Sequence, residues 1–380
     1  MKKINLIRIC SLVVLTSYLF TGCGAAKTAT SNDSTAVKTT DSTVAGSPVP
    51  SFTPATRTVT NIDGTNITVP GEVKRVVTTF GPAYEKVFML GAEDKIVADG
   101  DFHINSWPWS NVIYKNVNQV PGIPNAHVKL NIEDLMKYKP DVVFHFSKPD
   151  EIEKMNSVGI GAIPYATTNK LEDTKTSVMV YAKALGSKEE QVAKEYVDYF
   201  DEKLKMVTDI TAKLPDSERP NVYFSNQEIL WTAGKDCDIP EVISAAGGNC
   251  VSKDTKGGSK TEINMEQLLQ WNPQYIFVDH AGSSGNASAE EVISKMVTDD
   301  RLKKVSAISD NKVYICPTGV FFWDSGVQKI LMVMWMAKTL HPDKFKDIDM
   351  TKELKNFYSK FFRYDLTDEQ AAKILAHLNP

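Results

Sequence analysis

From residue 57 onward the chain alternates between two hydrophobic rhythms. "RTVTNIDGTNITV" places polar and apolar residues in turn about Asp63-Gly64, the pattern of a β-hairpin. "VKRVVTTFGPAYEKVFMLGAEDKIVADG" then reads strand, helix, strand: Thr79 ends the first strand, Pro82 sits where a helix can start, and Gly91 closes it. In "NIEDLMKYKPDVVF", residues 131–144, Asn131 is placed as an N-cap and Ile132, Leu135 and Met136 share one helical face. Pro140 stops that helix, and "DVVF" is a short buried strand. A helix about "DEIEKMNSVG" and a strand "AIPYA" follow, so the alternation predicts an α/β lobe with a largely parallel sheet.

The period then lengthens. Val192, Tyr196, Phe200, Leu204, Val207 and Ile210 recur at helical spacing, Ser187 and Glu190 form a capping-box pattern, and no proline intervenes before Pro215. One helix of about 25 residues is expected, ~38 Å long at 1.5 Å per residue, longer than most globular helices and long enough to bridge two lobes. After it "NVYFSN" opens a second strand–helix series. The earlier phrase returns there as "NMEQLLQWNPQYIF" at 264–277, 133 residues downstream, followed by the helix pattern "EEVISKM" and the strand "KVYICP". The expected fold is therefore α/β, with two similar lobes of mostly parallel sheet joined by one long rigid helix and a ligand cleft between them. The N-terminal lobe is placed at residues 57–185, the bridging helix at 186–214 and the C-terminal lobe at 215–380.

The first 56 residues follow neither rhythm. Lys2, Lys3 and Arg8 precede the apolar run "SLVVLTSYLF", an export signal over residues 1–22. It ends in "FTGC", which resembles the lipobox of bacterial lipoproteins, with Phe20 in the usual leucine place. The resemblance implies lipidation of Cys23 and a protein tethered on the extracytoplasmic face, at the cell surface or in the periplasm. Residues 23–56 are rich in Ser, Thr and Ala and cannot bury enough surface to offset their ordering entropy, so they read as a flexible tether. No other stretch is long and apolar enough to span a membrane. A formal charge of -4 and the absence of a basic patch speak against a nucleic-acid partner. Export permits disulfides; Cys237 and Cys250 flank one helix-like run as a candidate pair, with Cys316 left over.

The order and spacing of "PAYEKVFMLGA", "NIEDLMKYKPDVVF", the single long helix, "IPEVISAAGGNC" and "NMEQLLQWNP" resemble the helical-backbone class of ABC-importer substrate-binding proteins, which serve iron–siderophore complexes, haem and vitamin B12. The likeness covers residues 57–380. It implies a monomer that clamps a small-molecule metal complex between its lobes and delivers it to an ABC permease dimer with its ATPase. It also implies that Glu133 and Glu266, each seven residues before a proline, dock onto arginines of the two permease subunits. A carboxylate in a helix's first turn also complements the helix dipole, and the two roles coexist.

Open α/β sheets place ligands at the carboxyl ends of their strands. The candidate ligand-binding residues at those ends are Phe102, His103, Trp107, His127 and His145 in the first lobe, with Tyr84 from the first helix. Trp109 lies in the same run. The second lobe offers Trp231, His280 and Trp323, the last beside Asp324. By the resemblance, His127 and Trp231 match aromatic ligand contacts of the B12 binder, whereas Lys260 departs from it and argues against a corrinoid. His145 and His280 are the candidates for reaching a metal through a bound complex; no cofactor is expected. Only Arg57, Arg75, Arg219, Arg301 and Arg363 follow the signal, and none falls at the mouth, which disfavours a strongly anionic cargo. Alternatives are a small oxyanion such as molybdate, a sensor's ligand-binding subunit, or a two-lobed enzyme. Against the enzyme, the chain has no Walker A, GxGxxG after a strand, HExxH or GxSxG sequence. The FTGC site makes one direct prediction: Cys23→Ala moves the protein from the membrane to the soluble fraction on cell fractionation, and unchanged membrane retention would disprove the anchor.

Overall fold

The computed structural model describes residues 55–100, 108–114, 117–126, 128–165, 169–279 and 287–380. The signal, Cys23 and most of the tether lie outside them. An antiparallel hairpin, β1 (Thr56–Thr60) with β2 (Asn66–Pro70), opens the described chain, and Gly64 takes the left-handed turn at φ 82° that the Asp63-Gly64 pair predicts. The first lobe is built on β3 (Val76–Thr78), β4 (Ile96–Asp99), β5 (Val142–His145) and β6 (Gly161–Pro164). These form a four-stranded sheet in the order β4-β3-β5-β6, parallel throughout. Helices α1 (Gly81–Met89), α2 (Pro108–Ile113), α3 (Ile132–Met136), α4 (Pro149–Ser157) and α5 (Leu171–Leu185) alternate with or follow these strands.

The long helix α6 (Ser187–Thr211) runs 25 residues, as its periodicity requires, and Tyr196, Phe200 and Val207 are buried on its inner face. Its start differs from expectation. Ser187 is the first helical residue rather than the cap, because α5 ends at Leu185 and Gly186, at φ 146°, turns the chain directly between the helices. No side-chain cap bond forms there.

The second lobe carries β7 (Asn221–Asn226), β8 (Trp231–Thr232), β9 (Asn249–Cys250), β10 (Thr261–Glu262), β11 (Tyr275–Asp279) and β12 (Val313–Ile315) in one six-stranded sheet. Its core β9-β7-β11-β12 is parallel, while β8 and β10 fold back antiparallel. Around it lie α7 (Ile239–Ala245), α8 (Met265–Trp271), α9 (Ala289–Thr298), α10 (Ser306–Ser309), α11 (Lys329–Leu340), α12 (Met350–Phe357) and α13 (Asp368–Leu375). The nearly all-apolar α11 is buried along most of its length, as a helix without a polar face must be.

The doubled sequence folds as a doubled structure. Residues 131–140 and 264–273 show the same run of exposed, half-buried and buried positions, residue for residue. Asn131 Oδ1 accepts the backbone N–H of Glu133 at 2.9 Å, and Asn264 Oδ1 accepts that of Gln267 at 2.8 Å. Leu135 and Leu268 plug the core beneath, and each segment ends on a left-handed residue, Lys139 at φ 46° and Asn272 at φ 42°.

The lobes are bolted together by polar groups removed from water. Glu85 of α1 accepts the Val327 backbone N–H at 3.0 Å and the Gln328 amide at 2.9 Å, and Gln328 Oε1 accepts the Tyr358 hydroxyl at 2.7 Å. The Tyr196 hydroxyl donates to Val327 O at 2.8 Å, tying the long helix to the same point. Gly326 is packed so tightly that a Cβ there would sit 2.0 Å from Glu85 Oε2. Burial pushes the Glu85 carboxyl well above its ordinary range. Glu85→Ala strands two buried donors, each costing about 1–3 kcal/mol. A urea melt should show the midpoint falling accordingly, with Glu85→Gln recovering part of the loss; an unchanged midpoint for Glu85→Ala would remove this contact from the lobe junction.

Candidate functional site

The carboxyl ends of β5 and β6 open into a cavity of about 620 Å³ between the lobes. Phe146, Ser147 and Lys148 follow β5 and Tyr165 follows β6 to form the first wall. The second wall is made by Asp236, Cys237, Asp238 and Ile239 ahead of and into α7, Gly258 and Ser259 ahead of β10, and Asp324 and Ser325 ahead of α11. The aromatic wall is held from behind: Phe80 stacks on Phe146 with centroids 4.4 Å apart and meets Tyr165 edge-on at 5.2 Å. The buried Lys86 ammonium lies 5.7 Å from the Tyr165 ring centroid and 5.4 Å from that of Tyr181. Burial depresses the Lys86 pKa.

The opposite wall is acidic. Three carboxylates, Asp236, Asp238 and Asp324, face one ammonium, Lys148, among the described lining residues. Asp238 is paired beneath the surface with the fully buried Lys329. Burial alone would depress the Lys329 ammonium, but the Asp238 carboxylate overrides it and holds the group protonated. Asp236 accepts the Gly257 N–H at 3.0 Å, and Asn226 donates to Ser259 O at 2.6 Å, so two of the three segments of this wall are pinned by hydrogen bonds. No group of three or more His, Cys, Asp or Glu side chains suited to a metal ion occurs among the described residues.

Several sequence candidates fall elsewhere. Phe102, His103, Trp107, His127 and His280 lie outside the described residues. Trp323 is fully enclosed in the core and presents no face to the cavity, although its neighbour Asp324 does. Tyr84 is buried and lines a separate cavity of about 340 Å³ with Phe88, Phe362 and Arg363. Trp109 is core as well, its indole N–H donating to Leu378 O at 2.8 Å. Trp231 is half-buried on β8 with the Lys260 ammonium 3.7 Å from its ring centroid; it is not among the residues that line the cavity. His145 is buried with both ring nitrogens engaged, Nδ1 with the Thr79 hydroxyl at 2.8 Å and Nε2 with Glu151 at 2.6 Å, so it has no nitrogen left for a metal. Cys237, Cys250 and Cys316 are free buried thiols, and burial raises the pKa of each. The candidate disulfide does not form. The sequence candidates do not include Phe146, Tyr165, Lys148, Asp236 or Asp238; the two rings each stand one place beyond a strand's end, and that position is the signal that marks them.

Glu133 and Glu266 are exposed, one in the first turn of each repeated helix. Two α/β lobes, one bridging helix and an interlobe cavity at the strand ends form a clamp with room for a small solute between its halves. A family-level match spans residues 76–319, and the chain belongs to the periplasmic binding protein family, extracytoplasmic proteins that serve ABC transporters. A molybdate-binding protein, MolA of Haemophilus influenzae, is 25% identical over 84% of this chain and 94% of its own length. The iron(3+)-hydroxamate-binding protein YxeB of Bacillus subtilis is 22% identical over 83% of this chain and 89% of its own. A periplasmic solute-binding protein of Veillonella parvula superposes with a TM-score of 0.71 at 24% identity, covering 85% of this chain and 97% of that one, a likeness of fold.

The His145 cluster has a signature in acid. Burial depresses the pKa of His145 below its ordinary 6.5, so the folded protein holds the ring neutral while the unfolded chain protonates it more readily. The stability it contributes is present above pH 6.5 and is lost as the pH falls. Thermal melts from pH 7 to pH 5 should show a steeper loss for wild type than for His145→Gln; equal slopes would show that His145 does not titrate on unfolding.

Proposed function

We propose that this protein is a lipid-anchored solute receptor that captures a metal complex of neutral or positive charge and passes it to an ABC permease dimer with its ATPase. In this reading Cys23 holds the protein on the extracytoplasmic face, the interlobe cavity takes the cargo, and Glu133 and Glu266 meet the permease. The protein acts as a monomer and holds no cofactor of its own. The cavity carries the cargo assignment. Its volume of about 620 Å³ lies within the ~300–1,000 Å³ of sites that enclose a drug-sized ligand. Two aromatic rings and one ammonium on one wall and three carboxylates on the other suit a ligand with apolar faces and hydrogen-bond donors, such as a ferric hydroxamate complex. The likeness to a hydroxamate-binding relative supports the same choice. A dianion would meet the carboxylates of Asp236 and Asp324, and no arginine lines the cavity among the described residues to offset them.

A small oxyanion is the second reading, favoured by the likeness to a molybdate-binding protein and by the ammonium groups of Lys86 and Lys329 beneath the cleft. Calorimetry with a ferric trihydroxamate and with molybdate separates the two. The first should bind one-to-one and molybdate should not, and Phe146→Ala and Tyr165→Ala should each weaken the trihydroxamate tenfold or more, about 1.4 kcal/mol. Saturable molybdate binding without trihydroxamate binding would reverse the assignment.

A further inference from the structure

The repeated helices share a second surface feature besides the glutamate. Three residues after Glu133 stands Met136, 49% exposed, and three residues after Glu266 stands Leu269, 38% exposed. Side chains at i and i+3 lie on the same face of a helix, so each lobe presents a carboxylate and a large apolar side chain together. Six large apolar side chains are exposed among the described residues, and these two alone occupy equivalent places in the two lobes. Single exposed apolar residues are ordinary on protein surfaces, whereas a pair preserved in register across a duplication is not explained by chance exposure. Both pads are also held rigid at their carboxyl ends. The Arg75 guanidinium donates to Tyr138 O and Lys139 O at 3.0 and 3.1 Å, and Asn272 Oδ1 accepts the Ser306 N–H at 2.8 Å.

We infer that Met136 and Leu269 are paired apolar anchors that seat in two equivalent apolar pockets, each beside a basic group, on the two-fold symmetric permease. This rests on the import function proposed above. The occupant follows from charge and symmetry. A second copy of this chain would set glutamate against glutamate, so the partner must be basic beside each pocket, and it must offer the site twice. Exposed ion pairs give orientation but little affinity, and burying an apolar side chain supplies what they lack. The glutamates steer the approach and the anchors lengthen the stay.

The test places a photoreactive benzoylphenylalanine, in the full-length lipoprotein in its host cells, at position 133, 136, 266 or 269, and at the exposed apolar Val158 and Val297 as controls. Adducts are identified by mass spectrometry. Adducts with a polytopic permease from all four pad positions and none from the controls are expected. Adducts from 133 and 266 alone would overturn the anchors and leave the import function standing. Adducts with no permease from any position, or with a second copy of this chain, would overturn both. In parallel, Met136→Ser with Leu269→Ser should weaken binding to the permease so identified tenfold or more with an unchanged melting temperature, and Met136→Leu with Leu269→Met should restore it; wild-type binding by the serine variant would refute the anchors.

Discussion

A carboxylate taken out of water in one lobe, with amide donors from the other lobe on both its oxygens, fixes how the two halves meet. Glu85 is fully buried, and its two oxygens accept the Val327 N–H and the Gln328 amide. Such a group tolerates no looser arrangement, because a buried acceptor left unmatched costs more than a good bond returns. The same junction draws in Tyr358 through Gln328, Tyr196 of the long helix through Val327 O, and Gly326, whose missing side chain lets Glu85 approach. The cavity walls inherit their spacing from this junction. Asp324 and Ser325 immediately precede Gly326, so the acidic wall is set against the aromatic one by the same few atoms that close the core.

The two walls divide the labour of recognition. The first offers ring faces backed by Phe80 and by the Lys86 ammonium. The second offers carboxylates whose charge is partly compensated from below by Lys329. Ring faces supply area and carboxylates supply direction, a combination that a ligand with both greasy and hydrogen-bonding surfaces can use in full. The buried ammonium groups limit how negative the cleft becomes without themselves reaching its surface.

The parts of this plan that were legible in the sequence are those written in local pattern. Asn131 and Asn264 cap as their positions require, Pro140 and Pro273 precede buried strands, and the period of α6 gives its length. The cleft was harder to read, for a physical reason: an aromatic residue near a strand end satisfies core packing and ligand contact equally well, and only the third dimension separates Trp323, inside the core, from Asp324, on the wall. His145 is opaque in the same way, since a histidine fully satisfied by Thr79 and Glu151 leaves no trace of those partners in its immediate sequence. The junction does leave a trace in the sequence. Glu85 and Lys86 interrupt an otherwise apolar helix in "PAYEKVFM", and charged residues amid such a face are buried only when something distant answers them.

The left-handed residue that ends each repeated segment bears on how such a chain changes over generations. The same turn, at nearly the same angle, is met by Asn272 in one lobe and by Lys139 in the other. Asparagine is at ease in that conformation and lysine is not, so the first lobe carries a small local strain that the second avoids. A molecule that holds two solutions to one backbone problem contains its own consensus. Each half serves as the other's control, marking which differences are drift that the fold absorbs and which substitutions would bring the weaker copy level with the stronger.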